Sequence, residues 1–532
     1  MNLSFSQLIS SKYTCFRNFF FHFLRILLFQ VSSFWIELTY FIIFSTLGFL
    51  ALKASTPRKD ASFIPKDFDL FFTSVSSVTV SSMSTVEMEV FSNGQLIIMT
   101  FLMFLGGEVF TSLLGLQLNK FKTNKDPKIA NSQSDDNLDQ IELGVSNLFD
   151  LHENDQKSFE VHHHLQHQDQ DDLIMMNNPS FTSILASVVL IYLLLVHFLG
   201  STFIYMYYEI IPSAKKVLRE KGLNLATFSV FTTVSTFANC GFIPTNENMM
   251  IFKKNSGLLL IMIPQILLGN TLYPACLRCF MWLLHKITKR DELKSILSNR
   301  NSSAILGYDH LFSSLHSTCL AVTVVVFVVV QFVVFGVLEW NNSSEATSGL
   351  SAYEKVVGTL FQVVNSRHSG ESVFDLSLIT PAIIVLFVIM MYLPPHTCFF
   401  PFENAKTSST EPKKTAGRKR NLISYLLFSQ LTYLAIFIIL ICIAERDKLK
   451  EDPLNFSLLN IVVEVISAYG NVGFSMGYSC KRQIKASESC RDATYGFAGK
   501  WSNTGKLILI IVMFFGRLKK FNLKSHKVWK LQ

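Results

Sequence analysis

Long apolar runs and short polar loops alternate along the chain in a regular order. Eight runs approach or exceed the roughly 20 apolar residues that a transmembrane helix needs. They lie at 33–53, 94–118, 181–208, 256–284, 318–339, 377–400, 422–444 and 505–516 with its flanks. A soluble chain does not repeat such runs eight times, so the sequence predicts an all-α polytopic membrane protein.

The order of span, polar loop and span occurs four times and divides the chain into four units. The unit boundaries are 33–119, 181–285, 311–402 and 421–524. Each loop begins with a short helix-like run, namely Phe68–Val78, Leu225–Phe237, Tyr353–Val364 and Leu458–Tyr469. Internal repeats are the usual way in which membrane transporters build a central path. We therefore predict eight transmembrane helices and four re-entrant pore loops around one central pore.

The four loops carry small residues at a matching place. They read Thr79-Val80-Ser81-Ser82-Met83, Ala238-Asn239-Cys240-Gly241-Phe242, Arg367-His368-Ser369-Gly370-Glu371 and Gly470-Asn471-Val472-Gly473-Phe474. Polar backbone at membrane depth is tolerated only where protein buries it or where it lines a water-filled path. Rings of backbone carbonyls build cation filters, and glycine reaches positive φ without steric cost. A single serine or glycine of this kind has ordinary structural roles, but the alignment of four favours a filter.

The positive charge is clustered beside the spans. Hydrophobic residues make up 49% of the 532 positions, and the net charge is +8. Three basic clusters are predicted to face the cytoplasm by the positive-inside rule: Lys286, Lys289, Arg290 and Lys294; Lys413, Lys414, Arg418, Lys419 and Arg420; Arg517, Lys519, Lys520 and Lys524. One competing group, Lys215, Lys216, Arg219 and Lys221, falls on the side predicted to be outside. This distribution favours cytoplasmic termini over a nucleic-acid-binding surface.

The segments between the units differ in composition from the spans. Residues 120–180 are rich in Asp, Asn, Gln and Ser and are predicted to be a disordered cytoplasmic linker. We assign 1–32, 286–310, 403–420 and 525–532 to the cytoplasm as N-terminus, loop, basic linker and tail. His164 and Asp169 imitate an acyltransferase signature, as low-complexity sequence often does. With no nucleotide-binding G-x4-G-K-[ST] signature either, we expect no enzyme activity and no cofactor.

Two cysteines and two asparagines lie in segments predicted to be outside. Cys480 and Cys490 share the loop 477–501, where an oxidising exterior favours a disulfide over two free thiols. Asn342 and Asn455 begin glycosylation sequons. Another sequon begins at Asn301, in a loop that we assign to the cytoplasm.

Several charged residues near the loops are candidates for steering ions. Carboxylates at a pore mouth concentrate cations, and the candidates for an outer vestibule are Glu87, Glu89, Glu371 and Asp375. An ion pair between Arg367 and Glu371 is an alternative interpretation. Arg517, at the inner end of the last span, is a candidate for an inner constriction or else an interfacial anchor beside Lys519. The pair Pro394-Pro395 predicts that its span ends or kinks there.

At these loops the chain resembles the plant HKT family of the Trk/Ktr/HKT cation-transporter superfamily. The runs that carry the resemblance are 74–92, 228–248, 356–371 and 465–479, and it covers nearly the whole chain except the 120–180 linker and both termini. The resemblance implies four membrane–pore–membrane units around one pore. It also implies four filter positions, Ser82, Gly241, Gly370 and Gly473, with Ser81, Asn239 and Asn471 as their neighbours.

In this family a serine in the first loop goes with Na⁺ selectivity, and a glycine there goes with K⁺ permeation. The resemblance therefore implies a passive, Na⁺-selective transporter or channel of the Ser-Gly-Gly-Gly type in the plasma membrane. It further implies a role in sodium homeostasis and salt tolerance through retrieval of Na⁺ from the xylem, and a homodimer with one pore per protomer. A K⁺ transporter or Na⁺/K⁺ symporter is the close alternative, and residue 82 discriminates between them. A carrier of organic solutes is more remote, since it would need charged residues at the membrane midplane.

Overall fold

The computed structural model describes residues 33–58, 64–125, 179–299, 302–340, 346–367, 369–398, 430–484, 490–494 and 496–519. Within these ranges the chain is helical, apart from turns and one isolated bridge between Tyr478 and Ala493. The protein is an all-α polytopic membrane protein, as predicted. The segments 1–32, 403–420 and 525–532 and most of the 120–180 linker lie outside the described residues.

Eighteen α-helices lie within the described ranges. The first unit contains α1 (Ser33–Ala54), α2 (Asp67–Val78), α3 (Asn93–Gly106) and α4 (Glu108–Lys125). The second contains α5 (Pro179–Ile210), α6 (Pro212–Glu220), α7 (Leu225–Ala238), α8 (Ser256–Gly269) and α9 (Tyr273–Thr288). Next come α10 (Asp291–Ser298) and α11 (Ser302–Leu306), and then the third unit with α12 (Ser314–Glu339), α13 (Ala352–Asn365) and α14 (Pro381–Tyr392). The fourth contains α15 (Gln430–Ala444), α16 (Arg446–Glu451), α17 (Leu458–Gly470) and α18 (Asn503–Arg517).

The four short helices that precede the candidate filter positions, α2, α7, α13 and α17, are called the loop helices. Each lies within one residue of the predicted helix-like run at both ends. Side chains cap three of them: Asn224 accepts from the amide of the third helical residue of α7, and Ser351 and Ser457 do the same for α13 and α17. Such caps satisfy amide groups that would otherwise lack partners. The loop helices therefore begin where the local sequence signals a start.

The helices predicted to span the membrane differ in length. Phe34–Ala54, Ser180–Ile210 and Ser314–Glu339 are each long and apolar enough to cross a bilayer. The pair α3 and α4 is bent by 54°, and the pair α8 and α9 is bent by 90°. Each pair, counted as one broken span, is also long and apolar enough to cross a bilayer. The helices α14, α15 and α18 contain 12, 15 and 15 residues, fewer than the roughly 20 of a full span. The count of eight spans thus stays a prediction.

The structure refines three predicted segments. The helix in the span predicted at 377–400 ends at Tyr392, as expected before Pro394 and Pro395, which cannot continue it. The helix α4 continues past the predicted unit end at residue 119 to Lys125, inside the predicted linker. The predicted cytoplasmic loop 286–310 holds α10 and α11.

The four units close into a ring through contacts between neighbours. The second helix of each unit packs against the loop helix of the next: α3 against α7, α8 against α13, and α14 against α17. The second helix of the fourth unit, α18, returns to α2 of the first. A buried ion pair of 2.8 Å between Lys506 of α18 and Asp69 of α2 reinforces that last contact. The units are therefore arranged in cyclic order rather than in a row.

The outward faces of the long helices are apolar and exposed. On α5, Leu194 and Phe198 are 54% and 70% exposed, and on α12, Val329 and Val333 are 53% and 55% exposed. Large exposed apolar surfaces are rare on soluble proteins. These faces are suited to contact with the acyl chains of a lipid bilayer.

Candidate ion selectivity filter

The four turns that follow the loop helices have similar backbone conformations. Each candidate filter position has a positive φ, and so does the residue two places earlier in the three turns where that residue is described. The values are +52° for Val80 and +51° for Ser82, +57° for Asn239 and +94° for Gly241, +74° for Gly370, and +52° for Asn471 and +104° for Gly473. Positive φ is uncommon outside glycine and costly for a β-branched residue such as Val80. Four loops of different sequence therefore share one unusual shape.

Two of the glycines are required because neighbouring turns touch. A Cβ atom added to Gly241 would lie 1.7 Å from the carbonyl oxygen of Ser369 in the next turn. A Cβ atom added to Gly370 would lie 2.0 Å from the carbonyl oxygen of Val472. Neither space admits a side chain, so glycine lets the backbones of adjacent units approach this closely.

The fourth turn contacts the first turn, and the first turn contacts the second, so the four turns form a closed ring. A Cβ atom added to Gly473 would lie 2.3 Å from the Cβ atom of Ser82. Val80 of the first turn and Cys240 of the second turn belong to one buried apolar cluster. The turns thus meet in the order second, third, fourth and first, and the first meets the second. This is the geometry of four backbone segments around one axis.

Ser82 departs from the shape of the glycines. Its φ of +51° lies in the left-handed helical region, which a side chain can enter at a cost, whereas +94° at Gly241 and +104° at Gly473 lie beyond it. The serine side chain therefore keeps the first turn from reaching the glycine conformation. The backbone φ at the filter position thus differs most between the first turn and the second and fourth.

Serines inside two loop helices fix the glycine turns. The amide of Gly241 donates to Ser235 Oγ at 3.1 Å, and the amide of Gly473 donates to Ser467 Oγ at 3.0 Å. Each serine stands six positions before its glycine. Sequence reasoning missed both, although the shared spacing of six was a readable signal.

The first and third turns depart from that bonding. Ser76 stands six positions before Ser82, but its hydroxyl is buried and has no hydrogen-bond partner among the described residues. In the third turn Asn365 Oδ1 accepts from the amide of Glu371 at 3.2 Å, one position beyond Gly370. The missing bond at Ser76 accompanies the different φ of Ser82.

The neighbours of the filter positions hold the turns in place. Asn239 Nδ2 donates to the carbonyls of Thr236, Phe237 and Ile266, each at 3.1 Å. Asn471 Nδ2 donates to Ser81 Oγ at 2.7 Å and to the carbonyl of Met513 at 3.2 Å. The hydroxyl of Ser81 also bonds that of Thr79 at 2.8 Å. These amide groups are engaged by protein atoms, which supports a structural role for them.

Three glycines at the C-terminal ends of the second helices lie against their loop helices. Cβ atoms added to them would lie 2.0, 1.7 and 2.1 Å from the carbonyl oxygens of Val78, Phe237 and Tyr469. These glycines are Gly106, Gly269 and Gly516. Each carbonyl belongs to the residue four places before a filter position. The second helices therefore support the filter turns from behind, through contacts that the sequence did not indicate.

Arg517 connects the inner end of the fourth unit to the first. Its guanidinium donates to the carbonyl of Gly106 at 2.5 Å, lies 3.3 Å from a carboxylate oxygen of Glu108 and stacks over Phe41 at 5.4 Å. The side chain is 8% exposed. Arg517 thus binds the break between α3 and α4. The inner constriction and the interfacial anchor both stay predictions.

The model of the TrkH family, described as a cation transport protein, matches residues 151–395 and 406–524. The chain belongs to the TrkH family of cation transport proteins. Its relatives place it among the HKT members of that family, so the resemblance seen in the loops is confirmed.

Two HKT relatives cover nearly the whole chain. The sodium transporter HKT1 of Arabidopsis thaliana is 50% identical over 489 residues, which are 90% of this chain and 92% of the relative. The cation transporter HKT1;3 of Oryza sativa subsp. japonica is 46% identical over 505 residues, which are 95% of this chain and 92% of the relative.

Glu371 of this HKT chain is neither in an outer vestibule nor paired with Arg367. It is fully buried, and its Oε1 accepts from Thr236 Oγ1 at 2.5 Å. Arg367 donates instead to the carbonyls of Pro394 and Pro395, each at 3.0 Å. Both sequence interpretations of Glu371 are wrong, because the residue turns back into the protein between two units.

The carboxylates after the first filter position form an outer cluster with the second unit. Glu89 is ion-paired with Lys221, which also pairs with Glu247 at 2.7 Å. Burial disfavours the charged ammonium, but the two carboxylates prevail and raise the pKa of Lys221 above its usual value. Glu87 Oε2 accepts from Asn246 Nδ2 at 3.3 Å. Glu89 shares Lys221 with Glu247, whereas Glu87 bonds a neutral amide and interacts electrostatically with Lys500.

The remaining candidates of this HKT chain have local roles. Asp375 Oδ1 accepts from the amide and hydroxyl of Ser377 at 2.9 and 2.7 Å and so caps a short turn. Cys480 and Cys490 form a disulfide.

The predicted glycosylation at Asn455 is wrong for the folded chain. Its side chain is fully buried, and its Nδ2 donates to Asp452 and to the carbonyl of Ser479. A glycan cannot occupy an amide nitrogen that is buried and bonded in this way. Asn342 lies outside the described residues.

Proposed function

We propose that this chain is a passive, Na⁺-selective transporter or channel of plants, with Ser82, Gly241, Gly370 and Gly473 as its selectivity filter. The cyclic packing of second helices on loop helices, from the first unit through the fourth and back, carries the proposal. It directs four turns of one backbone shape toward each other. The names of the relatives, a sodium transporter and a cation transporter, support the choice of ion.

The proposed filter replaces the water around the ion with backbone carbonyls. Three glycines let the backbones approach without side chains in the path. Ser82 adds a side chain next to Gly473 and keeps its own φ at +51°. One carbonyl thus departs from the fourfold arrangement, and the ring favours the smaller ion over the larger.

Transport of K⁺, alone or coupled to Na⁺, is the second candidate. The three glycine positions support this candidate, because they are compatible with a ring of carbonyls around either Na⁺ or the larger K⁺. Residue 82 discriminates between the two candidates, and its serine favours Na⁺. No nucleotide-binding signature accompanies the pore units, so the ion gradient is the proposed driving force in both cases.

The proposed setting is the plasma membrane with both termini in the cytoplasm. The filter turns and the cluster of Glu89 with Lys221 then lie toward the outside, and Arg517 lies toward the inside. The disulfide between Cys480 and Cys490 supports an oxidising exterior for its loop. A homodimer with one pore per protomer and a role in retrieving Na⁺ from the xylem are proposed from the family resemblance.

Current measurements in oocytes that express the full chain test the proposal. Two-electrode recordings are made with external Na⁺ and K⁺ exchanged at constant ionic strength. We expect a current carried by Na⁺ that is absent from uninjected cells and from cells with the Gly241→Arg variant at equal surface density. A wild-type current that K⁺ carries as well as Na⁺ contradicts the assignment.

A further inference from the structure

Two free cysteines of the third unit lie side by side although they are far apart in sequence. Cys319 belongs to α12, and Cys398 follows the end of α14. Thr323 joins them, since its Oγ1 lies 2.8 Å from the carbonyl oxygen of Cys319 and 3.8 Å from Cys398 Sγ. Both side chains are partly exposed. The pair therefore joins two separate segments of the unit and is open to small reagents.

The pair lies near the cytoplasmic ends of its helices. Cys319 is near the start of α12, which follows the basic residues at 286–294, and Cys398 precedes the basic residues at 413–420. Positive clusters beside spans mark the cytoplasmic side. The cytosol keeps thiols reduced, and disulfides that form there are usually transient and redox-sensing. The disulfide between Cys480 and Cys490 lies on the opposite, oxidising side.

We propose that Cys319 and Cys398 are a redox-responsive pair that forms a reversible disulfide when a peroxide reaches the cytoplasmic face. One thiol loses its proton and attacks a peroxide oxygen as the thiolate; the O–O bond breaks, and the leaving hydroxide takes up that proton, which gives a sulfenic acid and one water. The second thiol likewise loses its proton and attacks the sulfenic sulfur; the S–O bond breaks, the S–S bond forms, and the leaving hydroxide takes up the proton to give a second water. The two sulfurs lose two electrons in total, and hydrogen peroxide is reduced to two waters.

The disulfide would act on the third filter turn through one residue. The carbonyls of Pro394 and Pro395, four and three places before Cys398, accept hydrogen bonds from Arg367, each at 3.0 Å. Arg367 precedes Gly370 by three positions. A disulfide between Cys398 and Cys319 of α12 would fix the segment of Pro394 and Pro395, whose carbonyls bind Arg367. Movement of the third filter turn would thereby be restricted. This consequence rests on the proposed function, whereas formation of the bond does not.

Mass spectrometry of the full-length protein in membranes tests the bond itself. The sample is reduced, exposed to graded hydrogen peroxide, blocked with N-ethylmaleimide and digested without reduction. We expect a peptide pair joined through Cys319 and Cys398 that disappears with dithiothreitol and in Cys319→Ser. The matched control Cys279→Ser, which changes an exposed free thiol of α9, retains it. Separate alkylation of both thiols after peroxide, or oxidation of each to a sulfinic acid, overturns the proposal.

Inside-out patches test the consequence. With peroxide on the cytoplasmic face, we expect the wild-type Na⁺ current to fall at least twofold and to recover with dithiothreitol. Cys319→Ser and Cys398→Ser are expected to be insensitive, and Cys279→Ser to respond as wild type. A disulfide without a change in current overturns the link to the filter turn. A disulfide in a protein that carries no Na⁺ current overturns the proposed function and leaves the redox pair standing.

Discussion

Ser82 and Gly473 meet where the fourth turn closes on the first, and a Cβ atom on Gly473 would lie 2.3 Å from that of Ser82. A side chain is thus accommodated on one side of this contact only. The φ of Ser82 is +51°, and that of Gly473 is +104°. The difference places the asymmetry of the proposed filter at a single residue, and the selectivity predictions depend on it.

Alanine at the second or third filter position is expected to abolish current. The added Cβ would lie 1.7 Å from the Ser369 carbonyl in Gly241→Ala and 2.0 Å from the Val472 carbonyl in Gly370→Ala, so the turns must separate. Loss of more than nine-tenths of the Na⁺ current at equal surface density is the expected result. Gly336→Ala is the matched control, since nothing lies within 4 Å of a Cβ there. Normal current in either filter variant would show that its turn does not line the path.

The serines six places before the filter positions are expected to differ in importance. Ser235→Ala and Ser467→Ala each remove the acceptor of a filter glycine amide, which costs about 1 kcal/mol or more when the amide is left unpaired. Both variants are expected to lower thermal stability and to weaken Na⁺ over K⁺ selectivity. Ser76→Ala is the control, because its hydroxyl has no partner among the described residues. Equal effects at all three serines would contradict the bonding pattern.

Removal of the Arg517 charge is expected to increase inward current. The guanidinium holds the break between α3 and α4 through the Gly106 carbonyl and Glu108. Arg517→Gln removes the guanidinium contacts to Gly106 and Glu108. It also removes a positive charge near the proposed inner path, which lowers the electrostatic barrier to a passing cation. Lys519→Gln is the control, since Lys519 lies over the ring of Tyr469. Unchanged current in both variants, recorded in whole cells at equal surface density, would assign Arg517 a structural role alone.

Glu87 is expected to attract cations to the outer mouth, and Glu89 is not. Glu87 accepts a hydrogen bond from a neutral amide and interacts at longer range with Lys500, whereas Glu89 is ion-paired with Lys221. Glu87→Gln is expected to reduce Na⁺ current several-fold at low ionic strength and little at high ionic strength, because salt screens exposed charges. Glu89→Gln serves as the comparison and is expected to show no such salt dependence. A salt-dependent loss at Glu89 instead would reverse the assignment.

The sequence predicted the loop helices and their turns well because the signals there are local. Caps such as Ser351 and Ser457 stand directly before the first helical residue, and the polar turn follows each apolar run. The close approach of Gly106 and Gly269 to loop-helix carbonyls elsewhere in the unit is instead indicated by no local pattern. The burial of Glu371 and Asn455 likewise depends on partners from other segments. Charge alone therefore misplaced Glu371, and a sequon alone misjudged Asn455.

The reversal potential of Ser82→Gly in mixtures of Na⁺ and K⁺ tests the central claim most directly. Glycine removes the side chain beside Gly473 and frees residue 82 to reach the φ of the other positions. The account predicts a folded variant at normal surface density whose permeability to K⁺ relative to Na⁺ rises about tenfold, equivalent to about 1.4 kcal/mol. Ser84→Gly, two positions beyond, is the matched control and is expected to keep the wild-type reversal potential. A well-expressed Ser82→Gly variant with an unshifted reversal potential would contradict the claim that residue 82 sets the choice of ion.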